Sequence, residues 1–278
     1  MLTKLDVSTS QGNLLSFQLD DDTSGFLIQN IDGLDPVKAT LVSSSFAGVD
    51  GGQYQSARRE TRNIKLTVGL DPNPLVDTVR GLRKRLYAYF MPKSEIALTF
   101  YDDDGPTVNV AGRVESLETA LFAQESAVDI SIICYDPDFI DPVIVHLPES
   151  GQTLQTTSGT SNSIISYDGT VDTGTVITIN VDRDLSDFSI YHQPPNDALR
   201  QLDFSAPLVA GDVLTISSIT GDKGVTLTRA GTQSSLLYGM SPQSSWIELM
   251  PGDNKLHIYA TGAGVPYTID YVTRYGGL

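Results

Sequence analysis

Short apolar runs that alternate with period two, each closed by Gly, Pro, Asp or Asn, fill most of this chain, and they settle the fold class before any other feature does. A strand turns successive side chains to opposite faces, so a run such as RNIKLTVGL (62–70) buries one face only as part of a sheet. By the same reading the first half has strands at 14–19, 26–31, 62–70, 95–101, 107–114 and 126–135. The second half has SIISY, TVITINV, DFSIYH, QLDFS, DVLTISS, GVTLTRA, SWIEL, NKLHIYA and PYTIDYV, at the spacing of a β-sandwich. One segment breaks the pattern. In NPLVDTVRGLRKRLYAYF, Leu75, Val79, Leu82, Leu86 and Phe90 recur at helical spacing, Asn73 stands at the N-cap and Pro74 at the first helical position, which predicts one helix near residues 74–90. The fold class expected is mainly β with a single helix.

From residue 136 the composition changes to DPDFIDPVIVHLPESGQTLQTTSGTSNS, rich in Pro, Asp, Ser and Thr, which predicts a short linker near 142–152 and two domains, 1–145 and 146–278. No window approaches the roughly 18 apolar residues of a membrane span, and MLTKLDVSTSQ has no apolar signal core, so a soluble chain not exported by that route is expected. Cys134, the one cysteine, lies inside the apolar run AVDISIICY, which leaves no intrachain disulfide and little reason for a reactive thiol.

Candidate chemistry is sparse. VDTGTV (171–176) has the tripeptide that carries one carboxylate of an aspartic protease, but the chain has no second copy to share a proton, and the segment reads as a β-turn. Asp20–Asp22 and Asp102–Asp104 each join two expected strands and lack the alternating ligand spacing of a calcium loop. His146, His192 and His257 stand far apart, with no Cys or Glu at zinc-ligand spacing, and are expected to be ordinary surface or strand residues. G-x-S-x-G, the phosphate-binding loop and G-x-G-x-x-G do not occur. Catalysis, a cofactor and a metal are therefore not expected. Trp246, the one tryptophan, is a candidate platform for a sugar ring, weighed against core or rim packing.

The charge distribution is less ordinary. Against a formal net charge of -16, nine of the 18 Lys and Arg lie between Arg58 and Lys93. So acidic a chain is a poor ligand for duplex DNA over its whole surface.

Two stretches carry a family resemblance. ESAVDISIICYDPDFIDP contains Cys134-x-Asp-Pro-x-Phe139, and SWIELMPGDNKLHIYATG contains Trp246-x-x-Leu-x-Pro-Gly-x-Asn254-x-Leu; in this order they resemble the distal tail proteins of long, non-contractile-tailed phages. The resemblance implies an N-terminal β-rich ring or belt domain with one helix, followed by a galectin-like β-sandwich. It implies a structural virion protein at the tail tip, a homo-oligomer in a hexameric ring that joins the tail tube to the host-adsorption apparatus. Its partners would be the tail tube protein, a tail-associated hub protein and receptor-binding or tail-fibre proteins. DNA would only pass through the lumen, no membrane would be involved, and assembly would take place in the host cytoplasm. A heterologous ring contact gives the cation cluster a use, with Arg58, Arg59, Arg62, Arg83, Lys84 and Arg85 meeting acidic groups of a neighbour. A solvated surface and the wall of a DNA channel remain open for the same residues. The alternative function is a carbohydrate-binding or receptor-binding module that contacts host surface glycan.

Overall fold

The computed structural model describes residues 1–19, 23–48, 50–119, 126–262 and 264–278. The chain forms two compact units, Met1–Pro142 together with Tyr275–Leu278, and Val143–Arg274.

The first unit contains β1 (Leu2–Thr9), β2 (Leu14–Gln18), β3 (Phe26–Asp32), β4 (Ala39–Ser44), β5 (Gln53–Arg59), β6 (Arg62–Leu70), helix α1 (Val79–Tyr87), β7 (Glu95–Asp102), β8 (Val108–Thr119), β9 (Ala127–Cys134) and the start of β10 (Phe139–Leu147). Antiparallel pairing runs β2–β1–β7–β8–β9–β6–β3. β8 is long enough to pair twice, with β7 through Val108 to Arg113 and with β9 from Arg113 to Thr119, across a register shift between Val114 and Ser116. Such a shift bends the strand and re-aims its side chains. Ile64, Leu66 and Val68 of β6 and Val128, Ile130 and Ile132 of β9 share the buried face, as alternation requires.

Two sequence expectations are corrected here. α1 starts at Val79, not at residue 74. Thr78, extended at φ -132 and ψ 155, is the N-cap, and its hydroxyl accepts from Gly81 N at 3.1 Å. Asn73 caps a separate turn, its side chain accepting from Leu75 N and its carbonyl from Val76 and Asp77, so Leu75 is 93% exposed although its spacing fits the helix. Leu82, Leu86 and Phe90 do enter the core. The second correction concerns the linker, since β10 runs through most of it and the boundary between the units falls inside a strand, at Pro142 and Val143.

A single buried guanidinium organises one end of the first unit. Arg62 is 1% exposed; its Nε donates to Pro137 O at 2.6 Å, one terminal nitrogen to Gly33 O and Asp35 O at 2.5 and 2.8 Å, and the other to Gly276 O at 2.6 Å. It lies 4.2 Å over the Phe139 ring. Segments distant in sequence are thus held by one side chain. Gly33 sits at φ +92 with Asn63 O where a Cβ would stand, so the turn needs glycine. Leu278 N donates to Leu34 O, which completes the docking of the last residues against that turn. Beside the clamp Cys134 is fully buried, and burial pushes its thiol up to about 11.

The second unit is a sandwich. One sheet has the order β12 (Ser163–Tyr167), β20 (Gly252–Ala260), β14 (Leu185–Gln193), β15 (Arg200–Leu208). The other runs β18 (Thr232–Ser235), β17 (Gly224–Arg229), β16 (Val213–Ser217), β13 (Thr173–Asn180), β21 (Pro266–Tyr275), with short β11 (Leu154–Gln155) on β21 and β19 (Glu248–Leu249) on β13. Ile177, Ile190, Leu202, Leu214, Ile258 and Ile269 fill the space between. The Pro-Gly-x-Asn motif closes the turn into β20: Gly252 takes φ +103, and buried Asn254 donates to the carbonyls of Met250 and Gly252 while accepting from Met250 N. His192 is a strand residue of β14, wholly buried, with Nε2 3.0 Å from Asn254 Oδ1 and no partner for Nδ1 among the described residues.

Two predictions follow from these buried groups. Replacing Arg62 with Met leaves the carbonyls of Gly33, Asp35, Pro137 and Gly276 without their donor, a loss of about 3 kcal/mol to the first unit. Native-state thiol labelling of Cys134 should speed up on the order of 100-fold, and labelling at the wild-type rate would refute the clamp. For His192, burial lowers the pKa against the opposing bond from Asn254. The unfolded chain therefore binds a proton near ~6.5 that the folded chain resists, and stability is retained above that pH and lost as pH falls below it. In a His257→Gln background, which removes the other histidine shifted down by burial, denaturant unfolding should show lower stability at pH 5.5 than at pH 7, and adding His192→Gln should abolish the difference. Equal stability at both pH values before that second change would contradict the argument.

Candidate subunit interface

β4 and β5 pair only with each other, and almost every residue of the two strands is exposed. The pairs Leu41 with Ala57 and Ser43 with Tyr54 place Leu41, Ala57 and Tyr54 on one face, and Leu41 and Tyr54 are 68% and 64% exposed. Val42 is on the other face, and Phe46, also exposed, follows the end of β4. A two-stranded hairpin is marginal in water, so its geometry has to be set at the base. There Arg59 holds Asp138 bidentately, one of the two bonds at 2.9 Å, Glu60 N donates to Lys38 O at 2.9 Å, and the Thr40 hydroxyl donates to Glu60. Arg62 fixes the turn that leads into β4 through Gly33 and Asp35.

The structure sorts the cation candidates. Arg62 is withdrawn from any contact with a neighbour, because all of its bonding is internal. The sequence carried the signal: Arg62 is in phase with Ile64, Leu66 and Val68, the inward positions of β6. Arg59 is tied to Asp138, and Arg85 lies 3.6 Å from Asp77 and 5.0 Å over the Phe26 ring. Arg58 on β5 and Lys84 on α1 are exposed, Arg83 is half-buried, and none of the three makes an ion pair among the described residues. Arg80, part of the cation cluster read from sequence but not one of its contact candidates, is exposed one turn before Lys84. Also missed were Glu115, Glu118 and Asp129, exposed on β8 and β9.

The other sequence candidates take structural places. Trp246 is half-buried against the core of the second unit. The tripeptide of VDTGTV opens β13, where Gly174 is needed because a Cβ would stand 2.6 Å from the Ile219 Cα. Asp102–Asp104 turn the chain from β7 to β8, whereas Asp20–Asp22 lie outside the described residues. His146 pairs with Asp270, and the His257 ring stacks on Tyr191 at 4.8 Å. No three His, Cys, Asp or Glu converge as a metal site among the described residues, and no described helix is long and apolar enough to cross a membrane.

Comparison with known proteins places this architecture. The family described as siphovirus-type tail component, C-terminal domain, matches residues 168–275, and that described as phage tail protein RIFT-related domain matches residues 19–115. The chain belongs to the siphophage distal tail protein family. No curated protein matches by sequence. Among solved structures, the distal tail protein of phage SPP1, described as a paradigm of the hub adsorption apparatus in phages infecting Gram-positive bacteria, superposes with a TM-score of 0.66 at 18% identity over 97% of this chain and 98% of that one. The phage P2 baseplate in its activated conformation with calcium aligns at a TM-score of 0.47 and 9% identity over 100% of both chains. Distal tail proteins are structural hub components of the virion, and this chain is one. In that role it takes part in a tail-tip assembly with other phage tail proteins.

The site analysis predicts that the hairpin is set by its base. Asp138→Asn keeps the shape of a buried side chain while weakening the bidentate hold of Arg59, so hydrogen exchange at 39–48 and 50–59 should quicken by more than that of β6 and β9. Unchanged exchange in the hairpin would refute the role of this pair.

Proposed function

We propose that this distal tail protein closes into a hexameric ring through its first unit. The ring joins the tail tube to the adsorption apparatus, carries the tail-associated hub protein and the receptor-binding or tail-fibre proteins outward, and lets DNA pass through its lumen without catalysis. Its copies assemble in the host cytoplasm before the virion is complete.

The observation that carries this reading is the β4–β5 hairpin. Leu41, Val42, Phe46 and Tyr54 are exposed on a two-stranded element that pairs with no third strand among the described residues, an arrangement that a surface outside the chain would stabilise. A repeated head-to-tail contact supplies such a surface and closes when the rotation per copy divides the circle. The half-buried position of Trp246 gives the glycan-binding alternative no comparable support.

Sizing by light scattering tests the reading directly. The purified chain should reach the mass of six copies, and Leu41→Ser with Tyr54→Ser should leave the far-ultraviolet circular dichroism intact while raising the concentration needed for assembly at least ~30-fold, since each apolar side chain is worth about 1.5–3 kcal/mol when buried. A wild-type chain that stays monomeric at virion-like local concentrations, or a double variant that assembles as the wild type does, would overturn it.

A further inference from the structure

Two surfaces of the first unit repel themselves, and their charges are opposite. On the outer face of the sheet Glu118 of β8 stands directly opposite Asp129 of β9, both exposed. Like charges directly across two strands are destabilising. Two hydroxyls bond to carboxylates of this face: Thr67 Oγ1 donates to Asp129 Oδ1 at 2.8 Å, and Ser131 Oγ donates to exposed Glu115 Oε2 at 2.8 Å, while Arg113, on the same face of β8, is paired with Glu95. Lys65 shares this face, set opposite Asp32 on one side and Ser131 on the other, and makes no ion pair with Glu118 or Asp129 among the described residues. On α1, exposed Arg80 and Lys84 are four residues apart, with Arg83 beside them. Like charges at that spacing destabilise a helix, the first turn holds no acidic residue, and Asp77 is engaged by Arg85. No ion pair joins the two surfaces within the chain among the described residues.

We infer that these are the two halves of one heterologous contact: Glu118 and Asp129 of one copy dock against Arg80, Arg83 and Lys84 of the next. The inference rests on the ring proposed above and identifies its charged interface. Each repulsion is relieved by the other surface, which a chain alone does not do. The sign difference also fixes polarity, because helix meets helix and sheet meets sheet with like charge, so a two-fold pair that uses either surface twice is disfavoured and a head-to-tail series is favoured.

The test uses two full-length variants, Glu118→Lys with Asp129→Lys, and Arg80→Glu with Lys84→Glu, sized by light scattering at 50 and 500 mM salt. Each alone sets like against like and should need at least about tenfold more protein to assemble at low salt. Mixed one to one, they should restore rings, because the reversed sheet face of one meets the reversed helix of the other, and the unaltered surfaces complete the alternate contacts. Recovery on mixing also shows that both variants are folded. Variants that assemble separately as the wild type does, or a mixture that stays dissociated, would overturn this contact and leave the ring itself standing. A wild-type chain that never assembles would overturn the ring, and the contact with it.

Discussion

The guanidinium of Arg62 is the interaction on which the first unit depends. A charged group enters a low-dielectric interior only when its donors are satisfied, and here backbone carbonyls take the place of a carboxylate. Those carbonyls belong to the turn before β4, the segment between β9 and β10, and the end of the chain. The unit is consequently discontinuous: Met1–Pro142 is completed by Tyr275–Leu278. Arg62 through Gly276, and Leu278 through Leu34, make residues 275–278 part of the first unit.

The clamp also explains how an exposed hairpin is held in place. β4 and β5 have no core of their own, so their direction comes from the turn at Gly33 to Asp35 on one leg and from Arg59 with Asp138 on the other. Rigid bases and bare apolar faces are what an assembling subunit needs, since a contact formed by an already ordered element loses less entropy on binding. The charged surfaces on α1 and on β8–β9 belong to the same unit, which concentrates the features suited to ring formation in one half of the chain.

Much of this was legible in the sequence where one face of a strand is buried. Alternation located β6, β7, β9 and most strands of the sandwich, and the Pro-Gly-x-Asn motif marked the turn that Asn254 closes. The helix start was misplaced because Leu75 continues the apolar spacing while Asp77 and Thr78 impose a later cap, and spacing alone does not register that competition. β4 and β5 were not seen because neither face of the hairpin is buried, so no period appears. β10 was hidden by Asp141 and Pro142, which read as linker composition. Arg62 was misread by its chemistry: a cation suggested a surface, although its place in the alternation of β6 pointed inward. The acidic pair Glu118 and Asp129 was not legible, because their adjacency is created only by the register of β8 on β9.

The central claim is that the chain assembles through its first unit, with the hairpin, the helix and the outer sheet face as its contacts. Hydrogen exchange measured on the assembled protein and on the monomer obtained by dilution tests it most directly. The account predicts that assembly slows exchange in residues 39–48, 50–59, 79–87, 115–119 and 126–131, while residues 163–260 of the sandwich exchange alike in both states. Protection confined to the sandwich, with the hairpin and helix exchanging equally fast in monomer and assembly, would contradict it.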